Sequence, residues 1–414
     1  MRIANIIQRY YPAIGGSETW CQGMCRYLAR QGHQVRVLTL NVYNEDEYWQ
    51  DPLPDNCLVR LGRADIDRGI FVRRYARSKI PGTLHKIFGK ILYRGFKLYF
   101  YGPHSWEMYV KLAEEIRRAD IVHLHTAPYP HNFIGYCLAK ALGKPVAITP
   151  HFHPGHPFYE LPSNYWLING CDAVFTVSDF EKEYFVKKGI NKRKIFVAYN
   201  AIEPAEYAPR NLEAFREELC KKYQMSNATK KIVFIGRKIE YKGVDILIEA
   251  ASKLMAKMDL RLFLVGPDFP WFSRHYSALP QGIRDKVIDL GVIDEREKVN
   301  LLHTCDVLAL PSRHEAFGIV FLEAWICGLP VVGADTGWMP HLLKDNGLIS
   351  RYGDSNDLAQ KLEKILTRKD LANEMAHNGR NKVMDHYVWD AVGGRILDVY
   401  RSLLEKRLSG AKKW

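Results

Sequence analysis

The stretch KKIVFIGRKIEYKGVDILIEAASKLMAKMDLRLFLVG, residues 230–266, holds one complete folding unit. Ile232 to Ile235 reads as a buried strand, Val244 to Met255 as a helix, and Leu260 to Val265 as the next strand. A strand that reaches its successor through a helix pairs with it in parallel, since only a crossover of that length returns the chain to the same end of the sheet. Toward the C-terminus the pattern continues with the helix Glu295 to His303, the strand Val307 to Leu310, the helix Gly318 to Ile326 and the strand Val331 to Gly333. Toward the N-terminus a charged helix, Leu212 to Tyr223, leads into this sheet, preceded by the polar segment Ala201 to Pro209 with two prolines.

Beyond that segment the same alternation has already run once. Ile3 to Gln8 and Val35 to Leu40 read as strands around a helix from Glu18 to Arg30. Ile121 to Leu124, the helix Phe133 to Leu142, Val146 to Thr149, Ala173 to Val177 and Ile195 to Tyr199 follow. Two α/β domains in tandem are therefore expected, each a parallel sheet covered on both faces, with a ligand cleft between them where strand carboxyl ends gather. The 414 residues are enough for both, and 47% hydrophobic with 25% charged residues excludes disordered, collagenous and coiled-coil chains.

Within 230–266, Gly236-Arg237 follows the strand and Lys242-Gly243 opens the helix. Two cations at a helix start can clamp a diphosphate, Arg as a planar fork and Lys as a point charge; a solvated loop is the plain alternative. Further on, Glu315 lies in a loop, Gly318 starts a helix with free amides at Gly318, Ile319 and Val320, and Glu323 stands within it. Carboxylates accept hydrogen bonds from vicinal hydroxyls, so this pair suits a ligand with a diol at each end, such as a sugar and a ribose; the alternative is a core helix bearing an exposed Glu. In the first half, Gly15-Gly16-Ser17-Glu18 opens a helix, with Ser17 expected to cap it. The segment reads equally as an anion cradle or a tight turn. It is not G-x-G-x-x-G, and no acidic residue ends the second strand, so a dinucleotide cofactor is not expected.

These motifs jointly resemble the retaining GT-B glycosyltransferases of family 4. The likeness is carried by Gly15-Gly16, Gly236-Arg237 with Lys242-Gly243, Glu315-x(7)-Glu323 with Phe317-Gly318, and Gly328-Leu329-Pro330-Val331-Val332. The resemblance implies an α/β fold of two Rossmann-like domains facing each other across a cleft: residues 1–200 for the acceptor, 201–388 for the nucleotide sugar, and 389–414 as a helix, roughly Trp389 to Arg407, crossing back. It implies that Glu323 binds ribose, that Glu315 and the amides from Phe317 to Val320 hold sugar and phosphate, that Arg237 and Lys242 bind the diphosphate, and that the Gly16 amide touches phosphate. Contacts to the base are expected near Val292, largely from backbone. Two departures stand out: Asn200-Ala201 where the family commonly has Asn-Gly, and Gly337-Trp338-Met339-Pro340-His341 in place of Gly-Gly-x-x-Glu.

Pro150-His151-Phe152-His153-Pro154-Gly155-His156 follows a strand and invites a zinc reading, but no Cys or carboxylate nearby in sequence completes a tetrahedral set. The resemblance instead puts a histidine under the transferred sugar, with His151 favoured by position and His153 second. No carboxylate is placed as a nucleophile. Front-side displacement with retention is the expected mechanism, with no metal and no cofactor besides the substrate. Asp65-Ile66-Asp67 matches a metal-binding D-x-D, yet it lies in an Arg-rich loop after no clear apolar strand. Cys21 and Cys25, four apart on a helix, lack a second pair, and the eight cysteines read as buried thiols.

The net charge of +13 is concentrated. Residues 60 to 101 carry eleven Lys and Arg against Asp65 and Asp67. On a helix from Leu84 to Tyr101, Lys86, Lys90, Arg94 and Lys97 share one side and aliphatic and aromatic residues the other. Such a segment lies on an anionic membrane, or it packs its apolar side on the sheet and leaves its cations in water. With no run of 18 apolar residues and no signal-peptide pattern, the expectation is a cytosolic protein, peripheral on the inner face of the cell membrane. Its partners would be a nucleotide-sugar donor (UDP- or GDP-linked) and a lipid-linked or saccharide acceptor. A sugar-nucleotide epimerase of the same fold is the alternative; a nucleic-acid binder is remote, since no zinc finger, RRM or helix-turn-helix signal accompanies the charge.

Overall fold

The computed structural model describes residues 1–13, 15–43, 63–78, 102–313, 315 and 317–411. The chain divides into two compact units, Met1–Ala201 with Trp389–Trp414, and Ile202–Val388. The unit containing the N-terminus is built on one eight-stranded sheet, β1 (Arg2–Ile6), β2 (Gln34–Leu40), β3 (Ala64–Asp67), β4 (Ile70–Tyr75), β5 (Ile121–His125), β6 (Val146–Thr149), β7 (Ala173–Thr176) and β8 (Ile195–Val197). Its order is β3-β4-β2-β1-β5-β6-β7-β8, parallel except for the β3/β4 pairing. The second unit holds β9 (Lys230–Ile235), β10 (Leu260–Val265), β11 (Val287–Gly291), β12 (Val307–Leu310), β13 (Val331–Ala334) and β14 (Leu348–Ser350) in the all-parallel order β11-β10-β9-β12-β13-β14.

β5, β6, β7, β12 and β13 are buried along their whole length, as parallel strands covered on both faces are. Helices cover both faces of the first sheet and create two cores. One gathers Ile3, Trp20, Met24, Val37 and Phe175 with Trp389, Val392, Ile396 and Tyr400 of the C-terminal helix Trp389–Ala411. That helix interlocks with Gly16–Arg30: the Trp389 ring fills the space a Cβ on Gly23 would need, and Tyr27 does the same at Gly393. No helix among the described residues is long and apolar enough to cross a membrane.

The structure departs from the sequence expectation at two places. Asp65-Ile66-Asp67 is not a loop but the edge strand β3, hairpinned onto β4. Both carboxylates serve the unit itself, Asp65 pairing with Arg74 at 2.5 Å while Asp67 accepts from Tyr10 at 3.1 Å and Gln22 at 3.0 Å and pairs with Arg26. Ser17 does not cap its helix: Gly15 is the cap position, and the Ser17 hydroxyl donates to Glu18 at 2.9 Å. The segment carrying Lys86, Lys90, Arg94 and Lys97 lies outside the described residues. Of the neighbouring cations, Arg73 is committed to Glu115 at 2.9 Å and Arg74 to Asp65.

Candidate active site

In the second unit three backbone contacts draw the strand ends together. Gly243 sits at φ 69°, and a Cβ there would overlap the carbonyl oxygen of Pro311, so the turn before the helix Val244–Met255 rests directly on the loop that follows β12. The Arg313 amide donates to the Tyr241 carbonyl at 2.7 Å and completes that junction. A Cβ on Gly266, at φ 130°, would strike the Gly236 carbonyl. β9, β10 and β12 therefore end in one tight cluster of backbone.

The sequence-predicted residues hang from this cluster. The Lys242 ammonium pairs with the Glu315 carboxylate, with side chains 13% and 17% exposed. Arg237 is exposed, and its guanidinium donates to the Tyr241 hydroxyl at 2.5 Å. Two residues expected to take opposite ends of a phosphosugar are thus neighbours, and the second cation, Arg237, is held beside them by an aromatic hydroxyl.

Past Glu315, Phe317 is buried with its ring edge-on to Tyr387 at 5.5 Å. Gly318 caps the helix Ile319–Ile326 at φ 83°, where a Cβ would crowd the Phe321 ring. The amides at the start of a helix have no partner within it and point outward, which suits an oxyanion. Glu323 lies on the next turn, buried. The segment that departs from the family pattern begins against the Glu315 turn. Thr336 donates to the Ser312 carbonyl at 2.6 Å, and Gly337, at φ 55°, passes so close to the Glu315 carbonyl that a Cβ would stand 3.2 Å from it.

Val292 is 67% exposed, just after Gly291 at φ 63°. Sequence reasoning missed what fixes this corner. Lys238, fully buried, pairs with Asp268 after β10 and Asp289 in β11, and Asp289 also accepts the Gly291 amide at 3.0 Å. One ammonium thus ties three strand ends. A Lys beside the noted Arg237 carries no sequence signal for this, because its two partners are distant in the chain.

In the first unit, Gly16 opens the helix, and among the described residues nothing stands within 4 Å of where its Cβ would be. The same turn already carries a carboxylate: Glu18, 2% exposed, receives the Arg9 guanidinium at 2.9 Å and the Gln8 amide at 3.3 Å. His151 follows β6 with φ 46°, a left-handed backbone that is costly for a side chain with a Cβ. Its Nε2 is shielded from solvent without a hydrogen-bond partner, its ring lies 5.5 Å from Trp20, and burial, reinforced by His153, holds its pKa down to about 3. Glu181 pins this turn, accepting the Phe152 amide at 3.0 Å and the Val177 amide at 2.7 Å. The Ser178-x-x-Glu181 capping pattern was the available signal, since Ser178 accepts the Glu181 amide at 3.1 Å. The other two histidines diverge, His153 and His156 each packing edge-on against Tyr159. Among the described residues no three His, Cys, Asp or Glu side chains gather as a metal set.

Several buried histidines make this unit acid-sensitive. His131 has both ring nitrogens buried and unpartnered, and burial, with His104 adding, lowers its pKa to about 3; His123 is lowered to about 3 likewise. A histidine whose folded pKa is depressed stabilises the fold above its unfolded value of roughly 6.5 and loses that contribution as pH falls toward the folded value. Glu181, raised by burial to about 7, has the opposite sign and costs stability as pH rises through that value. The unfolding temperature should therefore drop between roughly pH 6.5 and pH 4, and His131→Leu should shrink the drop; an undiminished drop in the variant would contradict the assignment.

The chain is similar to known proteins over nearly its whole length. The family model described as Glycosyltransferase Family 4 matches residues 14–206, and that described as Glycosyl transferases group 1 matches residues 215–382. Among curated relatives, N-acetyl-alpha-D-glucosaminyl L-malate synthase of Bacillus anthracis is 25% identical over 420 residues, covering 97% of each chain. D-inositol 3-phosphate glycosyltransferase of Segniliparus rotundus is 23% identical over 420 residues, covering 94% of this chain and 85% of the relative. Among solved structures, Anabaena HepE in complex with UDP-glucose superposes with a TM-score of 0.72 at 19% identity, covering 97% of this chain and 100% of that one.

Proposed function

The chain belongs to the GT-B glycosyltransferases of family 4 and is an enzyme that transfers sugars; from that premise we propose that it moves a hexose from a UDP- or GDP-linked sugar to a lipid-linked or saccharide acceptor with retention of configuration. The observation that carries the donor half is the Lys242–Glu315 pair beside Arg237 and the start of the helix Ile319–Ile326. Cations and free amides there would hold a diphosphate, and a carboxylate in the same turn would hold sugar hydroxyls. The solved neighbour carrying UDP-glucose supports a nucleotide-sugar donor.

In the reaction we propose, Arg237, Lys242 and the amides of Gly318 to Val320 stabilise the charge that builds on the departing diphosphate. A phosphate oxygen of the leaving group takes the acceptor's proton while the acceptor oxygen attacks from the same face, so no protein carboxylate need act as nucleophile. His151 and the Gly16 amide are assigned to sugar hydroxyls and phosphate respectively. No metal and no further cofactor are required in this scheme.

The membrane half of the proposal rests on the sequence pattern of Lys86, Lys90, Arg94 and Lys97. On that reading it is proposed to act as a peripheral protein on the inner face of the cell membrane.

Transfer with the natural acceptor fraction in excess EDTA tests this reading. Full activity and an α-configured product from an α-linked donor are expected; activity restored only by manganese, an inverted anomer, or conversion of donor alone as an epimerase would do would each contradict it. Flotation with anionic vesicles, weakened when those four cations are neutralised, tests the membrane part; unchanged flotation or none overturns it.

A further inference from the structure

Glu323 is reached by two side chains from outside its own helix, and both choose the same oxygen. The Tyr207 hydroxyl donates to Oε1 at 3.0 Å, and the Lys298 ammonium donates to Oε1 at 3.1 Å. The side chains of Lys298 and Glu323 are 13% and 9% exposed, so this contact is largely withdrawn from water. Lys298 is steadied by Glu295 one turn earlier on the helix Glu295–Leu302, at 2.7 Å. Tyr207 ends a short turn, Pro204–Tyr207, that is itself fastened to that helix: His303 meets the Tyr207 carbonyl at 2.9 Å, and Asn300 exchanges hydrogen bonds of 3.1 and 2.8 Å with the Arg210 backbone.

A carboxylate has two oxygens with about four acceptor positions. With two protein donors on Oε1, the plane of the group is set and it cannot rotate to offer both oxygens equally. We propose that Tyr207 and Lys298 are positioning residues for the donor: they anchor Oε1 so that Oε2 alone is presented, and a ribose is read through one carboxylate oxygen held in a fixed direction. The inference rests on the assignment of Glu323 to the ribose. It adds that selectivity for ribose over deoxyribose is set by residues that need not touch the nucleotide. Fixing the acceptor before binding removes an ordering cost that a free carboxylate would bear on each encounter.

Calorimetric titration of the full chain with UDP, GDP and their 2′-deoxy and 3′-deoxy forms tests this, using wild type, Tyr207→Phe, Lys298→Met and Lys298→Arg. Wild type should prefer at least one ribonucleotide over one of its deoxy forms by about tenfold, the value of one good hydrogen bond. Tyr207→Phe, which deletes only a hydroxyl, and Lys298→Met should each reduce that preference to about threefold or less, with deoxynucleotide affinity nearly unchanged; Lys298→Arg should restore part of it. Equal losses for ribose and deoxyribose forms would mark a purely structural role and overturn the proposal, as would an unaltered preference in Tyr207→Phe. Failure of wild type to bind any of these nucleotides would overturn the donor reading itself, whereas binding without ribose preference overturns only this inference.

Discussion

Lys242→Met is expected to lower the rate constant for sugar transfer by about two to three orders of magnitude while raising the donor KM only a few-fold, the size seen when one preorganised donor to a developing anion is removed. A diphosphate bonded to a sugar already carries charge, but more accumulates on the leaving oxygen as the glycosidic bond breaks, so an ammonium aimed there does more for the transition state than for the ground state. Methionine matches the length of the lysine stem and deletes the charge. In the structure the ammonium is held by Glu315, and the turn bearing it is locked against Pro311 by Gly243. The site is thus built before a ligand arrives, and the loss should appear in kcat. A variant with unchanged kcat and only a raised KM would show that Lys242 contributes uniform binding and is not part of the chemical step.

Much of this architecture could be read from the residues alone, because parallel strands buried on both faces leave runs that are mostly apolar. Val146–Thr149, Leu260–Val265 and Val307–Leu310 fall where the sequence predicts them. β3 was missed for the converse reason: Ala64–Asp67 is an edge strand with two acidic residues, and its pairing depends on Arg74, Arg26 and Tyr10 elsewhere in the chain. The site divides along the same line. Residues contiguous with a strand end or helix start, such as Arg237, Lys242 and Gly318, announce themselves by spacing. The supports do not, since Lys238 finds Asp268 and Asp289, and Glu323 finds Tyr207 and Lys298, only through tertiary packing. The segment Gly337 to His341 illustrates the limit in another way: its letters depart from the family pattern, yet Gly337 still passes against the Glu315 carbonyl.

Glu323→Ala carries the second large effect. Removing the carboxylate deletes the acceptor proposed for the ribose and also strands Lys298, whose ammonium has little water to turn to, beside Glu295. Loss of a charged hydrogen bond to the ligand costs roughly 1.5–3 kcal/mol, and disturbance of the Lys298–Tyr207 anchor adds to it, so donor affinity should fall by about a hundredfold or more. The measurement is thermal stabilisation of the full chain by a panel of UDP- and GDP-linked hexoses, recorded for wild type and for Glu323→Ala over the same donor concentrations. A saturable rise in unfolding temperature is expected with at least one donor in wild type, absent from the variant over that range. A wild type that no nucleotide sugar stabilises, or a variant stabilised as strongly as wild type, would contradict it.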